Sequence, residues 1–244
     1  MKISFIHSPN FTPRKSRKIQ SIIIHYTGMK TALDSIKRLK SKKSKVSCHY
    51  LIDKDGKIIQ MVKDQDVAWH AGISYWDGKK SLNNSSIGIE LQNKGEEFGY
   101  EKFKKKQISS LISLINLIKK EYNIHDAFIL GHSDIASDRK IDPGYLFPWH
   151  KLYKAGIGLM PNTKSVDNKE LSNIGIKNLQ LLLREFGYKL KISKVLDKET
   201  LQVLYAFQSH YCPKELKEFK IKRKLAIYLK DLIKSKNRSL TKKN

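Results

Sequence analysis

Along the chain, hydrophobic positions alternate between the short period of strands and the longer period of helices. In "IQSIIIHYT" (19–27) branched apolar residues crowd together as in a buried strand, and a helix is expected over 31–40. "CHYLIDKDGKIIQMV" (48–62) has two apolar runs about Asp55-Gly56, a hairpin signature. The polar and aromatic loop "DQDVAWHAGISYWDG" leads to another strand in "SSIGIELQN" (85–93). Residues 104–122 place apolar side chains at 108, 111, 112, 115, 118 and 122, the stripe of a core-facing helix, and "AFIL" (127–130) follows as a short strand. Strands interspersed with helices predict an α/β domain, a central mixed, mostly buried β-sheet flanked by helices, over residues 1–155.

The pattern then changes. "GIGLMPNTKSVDNKE" gathers Gly, Pro, Asn and Ser without periodicity, which predicts a linker over 156–170. Three amphipathic patterns follow, at about 172–187, 199–211 and 216–234, and predict a small all-α domain over 171–244.

Charge adds one question. The chain of 244 residues carries 48 Lys and Arg against 23 Asp and Glu, a formal charge of +25. Of these, 41 are Lys and only 7 are Arg, scattered over both halves, so no specific nucleic-acid partner is expected, because Arg is the residue suited to bidentate contacts with bases and phosphates. Compositional bias toward Lys, Ile and Asn accounts for the charge as well, and a polyanionic partner such as a wall polymer or a surface is compatible with it. No run approaches the roughly 18 apolar residues of a membrane span, so no transmembrane segment is expected. The first twenty residues do not read as a signal peptide, which points to the cytoplasm. Cys48 and Cys212, 164 positions apart, do not suggest a disulfide framework.

Candidate chemistry concentrates in "GHSDIASDRKIDPG" (131–144), directly after the "AFIL" strand. His132 comes two residues after Leu130, and His25 directly follows Ile22-Ile23-Ile24, so two strand ends can bring two imidazoles to one rim. Two histidines and a carboxylate are a donor set for hydrolytic zinc, with the fourth position left to water. Asp142 is the favoured carboxylate, since Pro143 restrains its loop and Gly144 permits a tight turn; Asp134 and Asp138 lack that punctuation. Packed, hydrogen-bonded histidines at strand ends are the alternative at this point.

The wider set of motifs resembles the zinc-dependent N-acetylmuramoyl-L-alanine amidases of the AmpD type, related to the peptidoglycan-recognition proteins. "IIIHYTG", "SCHYLIDKDGKI", "AWHAG", "SSIGIELQN", "GHSDIA", "RKIDPG" and "FPW" occur in that family's order over about residues 18–153. The resemblance implies one zinc held by His25, His132 and Asp142, a catalytic carboxylate at Glu90 and an essential lysine at Lys140. It implies substrate contacts at His49, Trp69, His70 and Asn93, with Tyr26 and Trp149 shaping the pocket wall. The implied reaction is hydrolysis of the amide between N-acetylmuramic acid, intact or 1,6-anhydro, and the L-alanine of the stem peptide. The implied partner is peptidoglycan or its muropeptide fragments. A catalytically silent peptidoglycan-binding or recognition protein is the competing expectation.

Residues 174–211, "IKNLQLLLREFGY" and "LDKETLQVLYAFQ" among them, resemble a three-helix peptidoglycan-binding domain, with Lys194 where a glycine is usual and Val203 where an alanine is. That resemblance implies a wall-holding module, which would suit a periplasmic setting instead of the cytoplasm.

Overall fold

The structure is a computed structural model that describes residues 2–15, 18–162, 175–218 and 224–241. Among these residues ten strands are formed: β1 (Ile3–Phe5), β2 (Phe11–Pro13), β3 (Ser21–Tyr26), β4 (Tyr50–Ile52), β5 (Ile58–Gln60), β6 (Asp66–Ala68), β7 (Tyr75–Trp76), β8 (Lys79–Lys80), β9 (Ser86–Leu91) and β10 (Ile129–Gly131). Eight α-helices accompany them: α1 (Ala32–Lys40), α2 (Gly95–Phe98), α3 (Lys105–Tyr122), α4 (His132–Ile135), α5 (Trp149–Lys154), α6 (Ile176–Phe186), α7 (Lys198–Tyr211) and α8 (Lys224–Thr241).

The main sheet has six strands in the order β1-β5-β4-β9-β3-β10 and is mixed, with the hairpin β4-β5 antiparallel and the other neighbours parallel. The hairpin turns where Asp55-Gly56 predicted it. The edge strand β1 was not anticipated from its three residues, because Ile3 and Phe5 are partly exposed and carry little periodic signal.

Both faces of the sheet are covered, which is why the central strands read as apolar runs without alternation. Ile22 and Ile24 of β3, with Ile87 and Ile89 of β9, pack against Ile108, Leu111, Ile115 and Ile118 of α3. Each fully buried isoleucine contributes about 1.5–3 kcal/mol of burial free energy. Ile23 and Leu130 point the other way, into a core that also holds Trp76, Leu82 and Ile135. The same core contains Leu183 and Phe186 of α6, Tyr188, Phe207 of α7 and Leu229 of α8.

The C-terminal helices therefore share a core with the sheet. Part of the expected linker, 163–170, and the first residues of the next helical pattern lie outside the described residues. Helix α7 starts at its capping residue Asp197, whose Oδ1 accepts the Thr200 N–H at 2.8 Å. The third pattern is divided between a 3₁₀ turn over Pro213–Glu218 and α8, with 219–223 outside the described residues. Cys48 and Cys212 are both buried and are not joined by a disulfide.

Candidate metal centre

Strands β9, β3 and β10 run parallel, and a cavity of about 570 Å³ opens at their C-terminal ends. His25 in β3 is the register partner of Glu90 in β9. Successive strand residues alternate between faces, so both side chains leave the sheet opposite the face that Ile24 and Ile89 turn to α3. Gly131 pairs with Ile24, and His132, the next residue, therefore enters at the level of His25 as the chain turns into α4.

The remaining member comes from the loop after α4. The Ser133 N–H donates to the Asp142 carbonyl at 2.9 Å, which ties the loop to the helix. Gly144 lies at φ +77°, and a Cβ there would meet the Tyr100 hydroxyl at 2.7 Å, so the turn after Asp142-Pro143 excludes a side chain on both counts.

His25 Nδ1 lies 3.0 Å from His132 Nδ1, and Asp142 Oδ2 lies 3.1 Å from each of them. The centre of this triangle is about 1.8 Å from each corner, just inside the about 2.0–2.2 Å of zinc–nitrogen and zinc–oxygen bonds, so one cation of that size seats against its face. All three residues are buried, and no other such cluster occurs among the described residues.

Electrostatics suit the same purpose. Burial, and then the neighbouring His132, push His25 down to about 4, leaving a neutral ring with a lone pair to donate. Burial alone would raise Asp142, but the adjoining imidazoles, His132 foremost, outweigh it and hold the carboxylate well below the usual range. Glu90 is in the opposite condition: burial, and then the charge of Asp142, raise it to about 8 against the opposing pull of Lys140 and Arg38. Its Oε2 is buried and has no hydrogen-bond partner.

Of the residues expected from sequence, His25, His132, Asp142, Glu90, Lys140, Trp69, His70 and Tyr26 line the one cavity. His49 and Asn93, expected as substrate contacts, do not. His49 is fully buried, with Nδ1 accepting the Gly88 N–H at 2.9 Å and burial and Arg14 holding the ring neutral. Asn93 is likewise buried; its Nδ2 donates to the Glu101 carbonyl at 2.7 Å and its Oδ1 accepts the Gly95 N–H. Trp149, expected on the pocket wall, instead stacks on His210 with ring centroids 3.5 Å apart.

Among the residues lining the cavity that the sequence reading did not single out are two cations. Arg38 reaches the cavity from α1, where nothing distinguishes it from the basic residues around it. Arg139 lines it too, with Nη2 donating to the carbonyls of Ala71 and Ile73 at 2.7 and 2.6 Å. Its place beside Lys140 in "RKIDPG" was the available signal.

Comparison with known proteins places these features in a wider group. Residues 15–145 match the family model described as N-acetylmuramoyl-L-alanine amidase. The chain is 37% identical over 213 residues to the N-acetylmuramoyl-L-alanine amidase AmiD of Escherichia coli, covering 80% of this chain and 76% of that protein. It is 44% identical over 108 residues to the 1,6-anhydro-N-acetylmuramyl-L-alanine amidase AmpD of Haemophilus influenzae, covering 44% of this chain and 56% of that one. Among solved structures, AmpDh3 from Pseudomonas aeruginosa aligns with a TM-score of 0.81 at 31% identity over 92% of this chain and 94% of its own. The Escherichia coli AmiD structure, a complex with anhydro-N-acetylmuramic acid-L-Ala-D-gamma-Glu-L-Lys, aligns with a TM-score of 0.78 at 33% identity over 94% of this chain and 93% of its own.

Proposed function

The chain belongs to the N-acetylmuramoyl-L-alanine amidase family, and from that premise we propose that it hydrolyses the amide between N-acetylmuramic acid and the L-alanine of a peptidoglycan stem peptide. The observation that carries this reading is the buried His25, His132 and Asp142 triangle sharing a cavity with Glu90, a carboxyl whose Oε2 is without a partner. A wall-binding protein without catalysis has no use for that combination.

His25, His132 and Asp142 hold one zinc ion in this reading. Zinc, when bound, polarises the scissile carbonyl and lowers the pKa of water toward neutrality. Manganese or iron can occupy similar nitrogen and oxygen sites, so the assignment of zinc rests on the family.

Glu90 is the general base and acid. Its carboxylate takes the proton of the attacking water and returns it to the departing L-alanine nitrogen, which requires a group titrating near the working pH. In the metal-free chain burial raises Glu90 above the ordinary carboxylate range, and a bound dication beside it would draw it back toward the ionised form. Lys140, on the cavity wall two residues before Asp142, supplies positive charge where the tetrahedral oxyanion develops. Arg38 adds a cation to the wall and suits a substrate whose peptide carries carboxylates. Trp69 offers an apolar ring beside these groups for the sugar or the lactyl arm.

Anhydromuropeptides are the proposed soluble substrate, and intact wall is a second one that the C-terminal helices help to hold. The test is incubation of the purified protein with muropeptides, with and without a chelator, and chromatographic detection of free stem peptide. Release that stops with chelator and returns with zinc is expected. Binding without release from the zinc-loaded protein sinks the enzymatic reading.

A further inference from the structure

A series of hydrogen bonds runs from His25 away from the cavity, and the direction of one link is forced. Ser86 Oγ lies 2.6 Å from the Leu82 carbonyl oxygen and 3.1 Å from Nε2 of His70. A carbonyl has no proton to give, so the Ser86 hydroxyl donates to Leu82. His70 Nε2 is then the donor to Ser86 Oγ. A neutral imidazole has one N–H, which leaves His70 Nδ1 as a bare acceptor. That atom lies 3.0 Å from Nε2 of His25, so His25 carries its proton on Nε2 and turns an unprotonated Nδ1 toward His132 and Asp142.

The ring of His70 is held where this requires it. Its backbone N–H and that of Ala71 both donate to Asn83 Oδ1, at 3.1 and 2.7 Å. On the other side Gly88 leaves room for the ring, since a Cβ there would come within 2.3 Å of it. The next carbonyl in the same loop, that of Ala71, accepts from His132 Nε2 at 3.3 Å. One two-residue segment thus presents an acceptor to the outer nitrogen of each histidine of the triangle.

We propose that His70 is a positioning residue: oriented by Ser86, it locks His25 in the tautomer whose proton-free Nδ1 faces the metal. This rests on the reading of His25, His132 and Asp142 as ligands. It also assigns His70 a task other than substrate contact, because both ring nitrogens are already engaged.

Three variants and one spectrum test it. In His70→Gln the amide oxygen can still accept from His25 and the amide N–H can still donate to Ser86, whereas His70→Leu retains only bulk. Chelator competition is expected to show zinc binding weakened by about 10–100-fold in His70→Leu, the range for loss of such a ligand-orienting partner, and largely recovered in His70→Gln. Proton–nitrogen NMR correlations on the metal-free wild type are expected to show both His25 and His70 protonated at Nε2, and this measurement decides the matter if His70→Leu does not fold. His132→Ala is the control and is expected to lose zinc. If it does so while His70→Leu binds zinc like the wild type, or if His70 is protonated at Nδ1, the positioning role is overturned and the ligand assignment stands. If His132→Ala keeps wild-type zinc, the ligand assignment fails and the positioning role fails with it.

Discussion

His210 Nδ1 lies 2.7 Å from Oδ2 of Asp134, although 76 positions separate the two in the chain. Asp134 is two residues beyond His132, and its carboxylate also accepts from the Gly131 N–H at 2.7 Å and the Tyr188 hydroxyl at 2.6 Å. Two of these three donors belong to the C-terminal region. The turn that carries a metal-ligand candidate is thus braced by residues from the far end of the protein.

His210→Ala removes a hydrogen bond to a fully buried carboxylate together with the stack on Trp149. A loss of about 1.5–3 kcal/mol is expected from the hydrogen bond alone, as for other bonds to charged groups. Urea unfolding of the two proteins measures it, and coincident midpoints would show that the brace contributes nothing.

Truncation after residue 158 strips the helices from the face that holds Ile23, Trp76, Leu130 and Ile135. The shortened chain is expected to unfold at lower temperature, to expose apolar surface to a hydrophobic dye and to lose activity on soluble muropeptides as well as on intact wall. A truncated protein with the full-length melting temperature and unchanged rates on soluble fragments would make the helices a separate attachment.

Ligand and catalytic variants should separate into two classes. His132→Ala and Asp142→Ala are expected to lose the metal by elemental analysis. Glu90→Gln and Lys140→Ala are expected to keep it while turnover falls, by about 10²–10⁴ for the acid–base group and about 10²–10³ for the oxyanion partner. Metal loss in Glu90→Gln, or unchanged turnover in either catalytic variant, contradicts the assigned roles.

The raised Glu90 value has a consequence for the metal-free protein. Its folded-state value, about 8, lies above the ordinary 4.5, so between these limits the folded chain keeps a proton that the unfolded chain has released. The associated stability is complete below about pH 4.5 and is lost as pH rises through 8. In chelator, Glu90→Gln should therefore melt close to the wild type at pH 4.5 and above it at pH 8.5. A difference independent of pH would place the Glu90 carboxyl in a solvated setting.

Much of the site was legible because its signals are local. The runs about Ile22–Ile24 and Leu130 mark strands, the histidines follow them directly, and Pro143-Gly144 punctuate the loop that delivers Asp142. Motif order, through the family resemblance, grouped Glu90 and Lys140 with these candidate ligands, and all five line one cavity. His49, His70 and Asn93 belong to equally local motifs, yet their positions do not follow from them. The backbone amides near His49 and Asn93 take up their polar atoms, and the ring of His70 is captured between His25 and Ser86.

By itself the sequence determined the kinds of element and, through the resemblance its motifs carry, the family and the candidate ligands, because strand and helix periods, turn residues and motif spacing act over a few neighbouring positions. Tertiary structure alone decided that His25 and Glu90 stand side by side, through the β3-β9 register. It alone brought Arg38 to the cavity, set the ring of His70 between His25 and Ser86, and set His210 and Tyr188 against Asp134. Those relations join residues tens of positions apart. They depend on strand register and on which buried donor finds which buried acceptor when the two faces of the sheet are covered, and no local pattern along the chain encodes that pairing.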